Sequence, residues 1–326
     1  MTFIDVLNLV GGLSLFLYGI SMMSDNLQAA AGNKMRQILK SITGTPFKGM
    51  LVGLGVTAII QSSSATTVML IGMVNAGIMS LQQAVGVIMG ANIGTTVTAQ
   101  LIAFNIGDIA YLFVTLGMLG LFFKKSRAME HWSLIILGFG LLFVGLNVMS
   151  NSVIDLKNSV FARNILAQAA DYPLLAIFAG MIFTMIIQSS SATVGIVLVL
   201  ANTNLISFDG ALYLVFGSNI GTTITVWLAA LTSSSTSKRV ALIHTLFNII
   251  GTIIFATLTY LGYFNKLIDL ITPGNVYAHQ NVARHIANAH TFFNLCNTLI
   301  LLPFSGILVK IAQKIIPQGP EETISM

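Results

Sequence analysis

The sequence predicts an all-α polytopic membrane protein of two inverted-topology repeats, each with a re-entrant hairpin and a broken transmembrane helix. Three observations carry this. First, of 326 residues 55% are hydrophobic and 8% are charged, against roughly 25% charged in soluble domains. So few charges cannot cover a water-facing surface, which excludes a soluble enzyme, a nucleic-acid binder and a disordered chain. Second, the chain is a series of long apolar runs, with mean hydropathy +0.88, and its basic residues sit in short clusters between them. Third, the chain repeats itself. Gln-Ser-Ser-Ser-Ala-Thr at 61–66 returns at 188–193, and Gly-Ala-Asn-Ile-Gly-Thr-Thr at 90–96 returns as Gly-Ser-Asn-Ile-Gly-Thr-Thr at 217–223, both offset by 127.

Residues 3 to 24 read as the first membrane helix rather than a cleavable signal, because no basic residue precedes the run and no small-residue cleavage site follows it. Residues 25 to 41 and 151 to 170 read as helices on the membrane surface. Next come two apolar arms, 46–60 and 65–79, meeting at Gln61, Ser62, Ser63 and Ser64. Each arm would be ~22 Å long at ~1.5 Å per residue, against a hydrocarbon core of ~30 Å. Together they are too long for one crossing, and each is short for its own. The reading that fits is a re-entrant hairpin over 46–79, with a polar tip tolerated only inside protein or a water-filled cavity. Arms 173–187 and 192–206 repeat it as a hairpin over 173–206.

Each hairpin is followed by a segment containing Asn-Ile-Gly-Thr-Thr, 82–104 and 208–230. Gly94 and Gly221 weaken a helix there, and Thr95, Thr96, Thr222 and Thr223 can bond the backbone locally instead. Both segments therefore read as broken spans. Unbroken spans are expected at 108–123, 131–150, 240–263 and 282–312, the last containing Pro303. Most of the 29 glycines read as close helix packing and the 15 methionines as core filler. The single cysteine, Cys296, excludes an internal disulfide.

Three crossings per copy, an odd number, would turn the second copy upside down in the membrane. Residues 1–130 then form the first repeat and 131–264 the second, with 265–326 an extra helix and a short polar tail that no soluble domain is expected to follow. That makes seven crossings. Loops on one side hold 11 Lys and Arg, while the other side holds four, Lys157, Arg163, Lys266 and Arg284. The imbalance places the N-terminus outside and the C-terminus in the cytoplasm, in a multi-pass protein of the cell (inner) membrane. The two tips would face each other near the midplane.

A site made by the tips would be neutral. No charged residue occurs between Lys48 and Asp108, and only Asp209 between Asp171 and Lys238. Its polar groups are Gln61, Ser62, Ser63, Ser64, Thr66, Asn92 and Thr95, with their counterparts Gln188, Ser189, Ser190, Ser191, Thr193, Asn219 and Thr222. A short helix follows each tip. Its first N–H groups lack partners and its dipole end is positive, so two such ends bind an anion without Arg or Lys. The serine hydroxyls add donors. Two helix ends supply about one positive charge in total, which leaves a divalent oxyanion under-compensated. Cations must accompany it, and amide carbonyls, hydroxyls and freed backbone carbonyls are the hard ligands that suit Na⁺. With no carboxylate at mid-depth to carry a proton, Na⁺ is favoured over H⁺. Each Gln or Asn amide could instead donate to the anion, so its role stays open at this stage.

Serines and threonines in membrane helices often only bond the preceding turn or join helices. Two matching motif pairs, each with 31 residues from Gln to Asn, make that explanation insufficient here. A third pattern, His244-Thr-Leu-Phe-Asn248 and His290-Thr-Phe-Phe-Asn294, puts His and Asn on one helix face. Asn248 and Asn294 could line the cavity and bind Na⁺, while the histidines are read as interhelical hydrogen-bonding groups.

These residues resemble the type II sodium–phosphate cotransporter family, whose mark is a duplicated Gln-Ser-Ser-Ser followed by Gly-[Ala/Ser]-Asn-Ile-Gly-Thr. Here the mark is Gln61 to Ser64 with Gly90 to Thr95, and Gln188 to Ser191 with Gly217 to Thr222. The resemblance covers residues 9 to about 304. It implies Na⁺-driven uptake of inorganic phosphate, with the Gln-Ser-Ser-Ser segments holding phosphate and Na⁺, and Asn248 and Asn294 as cation-site candidates. Animal members have a large cysteine-bearing loop between the halves; residues 151–172 are short and cysteine-free. Electrogenic members have an Asp shortly after the first broken helix; Asp108 follows Gly107, one residue out of step with an ungapped alignment.

The expected function is secondary active symport of phosphate with Na⁺ by alternating access. Phosphate would be held by Ser62, Ser63, Ser64, Ser189, Ser190 and Ser191. Na⁺ would be held among Gln61, Thr66, Asn92, Thr95, Gln188, Thr193, Asn219, Thr222, Asn248 and Asn294. The expected partners are phosphate, Na⁺, the lipid bilayer and, further, a second copy as a homodimer; no nucleic acid, cofactor or transition metal is expected. The alternatives are a Na⁺-coupled transporter of sulfate or a dicarboxylate and, behind it, an anion channel, although channels usually show pore rings. An intramembrane hydrolase would need a base beside a serine, and neither serine run sits in Gly-x-Ser-x-Gly.

Overall fold

A computed structural model describes residues 3–41, 44–104, 106–153 and 172–317. Among them there are helices and turns but no strand. The first helix, α1 (Phe3–Ser41), joins the two elements expected at 3–24 and 25–41 into one. The junction Ser24-Asp25-Asn26 has no Gly or Pro to stop it. Its polar side chains bond inside the helix: Ser21 Oγ donates to Asp25 Oδ2 at 3.0 Å, and Asn26 Nδ2 to the Met22 carbonyl at 2.8 Å.

The two arms appear as α2 (Pro46–Ile60) and α3 (Ser63–Asn75). Pro46 takes the first turn, where a missing N–H is harmless, and the Thr45 side chain accepts from the Lys48 N–H at 3.3 Å. The second arm is shorter than the expected 65–79, because Gly77 turns the chain at φ +67°. A Ser80–Gln83 capping box then starts α4 (Leu81–Ile102). This helix corrects an expectation: it runs unbroken through Asn92-Ile93-Gly94-Thr95-Thr96. Thr95 Oγ1 donates back to the Ala91 carbonyl at 3.1 Å and Thr96 Oγ1 to Ile93 at 2.7 Å, so the threonines decorate the helix rather than replace it.

A turn with Gly107 at φ +53° leads to α5 (Ile109–Phe122), a helix of 14 residues. At ~1.5 Å per residue it is ~21 Å long, shorter than the span expected at 108–123. It lies along α6 (Arg127–Ser152), with Gly117 against Leu137 and Gly140 against Val114. The surface helix expected at 151–170 falls, beyond Val153, outside the described residues.

The second half repeats the pattern with α7 (Pro173–Ile187), α8 (Ser190–Asn202) and α9 (Phe208–Gly221). The break expected in 208–230 is a single residue, Thr222, between α9 and α10 (Thr223–Ala230), and it keeps near-helical angles of φ −62° and ψ −22°. There follow α11 (Ser235–Tyr260), the short α12 (Tyr263–Ile271) and α13 (Val282–Leu301). A 3₁₀ turn at Leu302–Phe304, holding Pro303, joins α13 to α14 (Ser305–Ile315). The region from 265 onward is thus several elements rather than one extra helix.

Six helical stretches among the described residues are long and apolar enough to cross a bilayer: Phe3–Ala31, Leu81–Ile102, Arg127–Ser152, Phe208–Ala230, Ser235–Tyr260 and Val282–Ile315. The protein is a multi-pass membrane protein. The difference from the seven expected crossings is α5.

Glycines set the packing. Helix α2 lies along α4, and α7 along α9, in the same way. A Cβ at Gly90 would meet the Met50 carbonyl, and one at Gly217 the Ile177 carbonyl; Gly53 and Gly180 similarly face the Val87 and Leu214 carbonyls. Gly94 and Gly221 face Thr57 and Thr184, with 2.7 and 2.8 Å from an added Cβ to the threonine Cβ. All three pairs are offset by 127. The glycine of Asn-Ile-Gly-Thr-Thr therefore serves close backbone approach, which bilayer-embedded helices need because lipid is as apolar as a leucine side chain.

Candidate functional site

Each helical pair turns on two residues. Helix α2 ends at Ile60, and Gln61 then adopts left-handed angles, φ 61° and ψ 23°. Ser62 is extended, and its Oγ accepts the Ala65 N–H at 3.1 Å, capping α3. Gln188 (φ 59°, ψ 24°) and Ser189 do the same for α8, with Ser189 Oγ accepting from Ala192 N at 3.2 Å. A left-handed glutamine is uncommon and raises the energy by roughly 1–3 kcal/mol. Both turns contain one, so the geometry is imposed by what surrounds them.

Buried threonines pin the arms together. Thr57 Oγ1 donates to Thr66 Oγ1 at 2.9 Å, and Thr184 and Thr193 Oγ1 lie 2.7 Å apart. Thr66 and Thr193 also donate to the Ser62 and Ser189 carbonyls at 3.0 and 3.2 Å. These two cation candidates are therefore the fasteners of the turns. With Ser62 and Ser189 as caps, the N–H groups of Ser63, Ser64, Ser190 and Ser191 are helix-start donors without an intrahelical partner, and they make no other backbone bond among the described residues. The hydroxyls of buried Ser63 and Ser190 make no hydrogen bond among the described residues. Each turn thus offers backbone and hydroxyl donors beside a positive helix end, a set suited to an oxyanion.

The halves interlock. Helix α3 packs on α10 and α11 of the second half, and α8 packs on α4 of the first half and on α13. Ser64 Oγ accepts from Thr225 Oγ1 across the halves at 3.0 Å, and Thr225 Oγ1 also reaches the Thr222 carbonyl at 3.0 Å. Thr98, the counterpart of Thr225, donates instead to Gln61 Oε1 at 2.9 Å within its own half. The two turns thus share a backbone and differ in side-chain partners.

Asn92 and Asn219 are buried, and each meets a histidine. His244 Nε2 is 3.3 Å from Asn92 Oδ1, and His290 Nε2 is 3.0 Å from Asn219 Oδ1. The histidines therefore tie α11 to α4 and α13 to α9, the interhelical role expected of them. Their partners were not legible, since the repeat offset of 127 connects neither histidine to its asparagine. Asn92 Nδ2 also donates to the Ile88 carbonyl at 2.8 Å.

One turn along each histidine-bearing helix lie Asn248 and Asn294. Their Nδ2 atoms donate to the His244 and His290 carbonyls at 2.9 and 3.0 Å. Their Oδ1 atoms are buried and have no partner among the described residues. Asn297 Oδ1 and Ser218 Oγ are in the same condition; Asn297 lies outside the repeated motifs, and Ser218, although inside Gly-Ser-Asn-Ile-Gly-Thr-Thr, stands where the first copy has Ala91. A buried acceptor without a partner is destabilising by about 1–3 kcal/mol, so carbonyl oxygens kept in this state on facing helices fit a cation that would take their lone pairs.

The chain matches the family described as Na⁺/Pi-cotransporter over residues 15–151 and 156–271. It is 30% identical over 303 residues to "Uncharacterized protein YqeW" of Bacillus subtilis, covering 93% of this chain and 95% of that protein. It is 27% identical over 319 residues to "Putative inorganic phosphate export protein YjbB" of Escherichia coli K12, covering 98% of this chain but only 57% of that protein. A shorter stretch of 97 residues, 29% of this chain and 15% of the relative, is 37% identical to "Sodium-dependent phosphate transport protein 2A" of Rattus norvegicus. No solved structure matches the chain. With the duplicated serine turns, the paired Asn-Ile-Gly-Thr helices and a family match that spans both halves, the chain belongs to the Na⁺/Pi-cotransporter family.

Proposed function

We propose that the protein is a secondary active symporter that couples inward movement of Na⁺ to uptake of inorganic phosphate. The observation that carries this reading is the pair of serine turns. Each presents helix-start N–H groups and a serine hydroxyl without a partner among the described residues, on helices packed against those that carry the buried Asn248 and Asn294 oxygens. The serines from 62 to 64 and 189 to 191 hold the phosphate. Asn248 and Asn294 are the first cation ligands, with Gln61, Gln188, Thr95 and Thr222 near them in the motifs. Asn92 and Asn219 would share their oxygens between a cation and a histidine. The hairpins re-enter the membrane from opposite sides, the halves are inverted repeats, and the hairpin-bearing units move against the rest in alternating access. One relative is named as an exporter, which motivates a second reading in the opposite direction; for a symporter the Na⁺ gradient decides the sign.

Ser63→Ala and Ser190→Ala test the anion site. Each removes a hydroxyl and keeps the backbone N–H. Loss of a charge-assisted bond of about 1.5–3 kcal/mol lowers phosphate affinity roughly 10- to 150-fold, similarly for both halves. Calorimetry in saturating Na⁺ reads this directly; two variants that bind phosphate as tightly as wild type would refute the assignment.

The inverted topology has its own test. Gly44 and Tyr172 are exposed positions just before α2 and α7. Cysteines placed there one at a time, in a Cys296→Ser background, are expected to react with an impermeant thiol reagent from opposite membrane faces. Reaction from the same face removes the inverted repeat.

A further inference from the structure

Where α4 ends and α13 begins, two cavities of about 410 and 520 Å³ adjoin, sharing Asn202 and Ala283 in their walls. The Lys and Arg imbalance puts this end of the bundle outside. Arg284 lines the larger cavity. Its guanidinium sits over the Phe104 ring, 4.3 Å from the centroid, and its Nη1 donates to Gln100 Oε1 at 2.8 Å. Gln100 Nε2 in turn donates to Asn288 Oδ1 and Thr291 Oγ1, both at 3.0 Å. The Asn288 amide donates onward to Thr272 Oγ1 at 2.9 Å. Gln100 and Asn288 are thereby fully engaged in holding the guanidinium in one orientation.

His279 and Asn281 of the same wall are engaged as well. His279 Nε2 donates to the Asn202 carbonyl at 2.8 Å, and Asn281 Nδ2 to the Pro273 carbonyl at 2.8 Å. Arg284 forms no ion pair among the described residues. Asp108 lines the other, smaller cavity. A half-buried cation without a counter-ion, fixed in place and facing a cavity, is a standing attraction for an anion. The planar fork matches two oxygens of a tetrahedral oxyanion, a geometry that an ammonium lacks. Arg284, Asn288 and Thr291 follow one face of α13, toward the turn that carries His290 and Asn294.

We propose that Arg284 is a second oxyanion site, separate from the serine turns, that takes free inorganic phosphate at the cavity mouth. The identity of the anion rests on the phosphate-transport reading above; the site itself rests on the clamp. The test is arginine-selective modification by phenylglyoxal of the full-length protein in neutral detergent micelles, with Arg284 followed by peptide mass spectrometry. Phosphate is expected to slow modification of Arg284 about tenfold at ten times its dissociation constant, because occupancy excludes the reagent as 1 + [L]/Kd. Potassium chloride at equal ionic strength is expected to give no such protection. Protection is expected to persist in the Ser63→Ala, Ser190→Ala double variant.

An Arg284 that never reacts, reacts regardless of phosphate, or is protected equally by chloride would overturn the proposal. So would protection that vanishes in the double variant, or protection given by added phosphatidylglycerol and not by phosphate, which would make this a lipid contact. Protection intact without Na⁺-driven uptake would sink the transport reading alone. Uptake intact without protection would sink the site alone.

Discussion

Gly90→Ala and Gly217→Ala are each expected to lower the thermal stability of the protein in detergent sharply and to abolish transport. In both positions the new Cβ would overlap a backbone carbonyl of the partner helix, Met50 or Ile177, and backbone cannot swing aside as a side chain can. Overpacking typically costs about 1–3 kcal/mol and sometimes more. Here the strain would part α2 from α4, or α7 from α9, and so move the serine turn at the end of the hairpin. The two halves should suffer alike. Gly72→Ala is the control, because nothing lies within 4 Å of its Cβ; it should be neutral or stabilise α3 by up to ~1 kcal/mol. Unchanged melting temperatures for Gly90→Ala and Gly217→Ala would show that these contacts do not hold the hairpins.

The second large effect concerns Na⁺. Asn248→Leu and Asn294→Leu remove the unpartnered Oδ1 atoms and keep the branched outline of the side chain. In Na⁺-free buffer these variants should be at least as stable as wild type, because a buried acceptor without a partner is destabilising by about 1–3 kcal/mol. Wild type should gain stability as Na⁺ replaces choline, by about 2.7 kcal/mol at one hundred times the dissociation constant, and both leucine variants should lose that gain. Leucine variants that keep the full Na⁺-dependent shift would move the cation site elsewhere, with Asn297 and Ser218 the next buried oxygens to test.

Much of the architecture was legible because polar residues in an apolar chain have few explanations. Gln61-Ser62-Ser63-Ser64 between two apolar arms placed the first turn to within two residues of where it lies, and the repeat carried the same placement to Gln188. The first of the two expected breaks is absent and the second is a single residue, Thr222, because glycine has two meanings. At Gly94 and Gly221 low helix propensity suggested a break, whereas the absent Cβ serves the approach of α2 and α7. Local sequence does not distinguish the two, since the deciding atoms belong to residues ~40 positions away. For the same reason the sequence showed His244 and Asn248 to share a face but not that His244 reaches Asn92 on α4. Arg284 read as a loop charge in a topology count, and only the clamp of Gln100 and Phe104 shows its place in a cavity wall.

The proposed coupling requires a metal cation, and not a proton, to accompany the anion of a neutral, donor-rich site. Uptake of radiolabelled phosphate into proteoliposomes tests it most directly. An inward Na⁺ gradient is expected to drive accumulation above equilibrium, and an inward proton gradient in choline buffer to drive none. Equal accumulation from the proton gradient alone would contradict it.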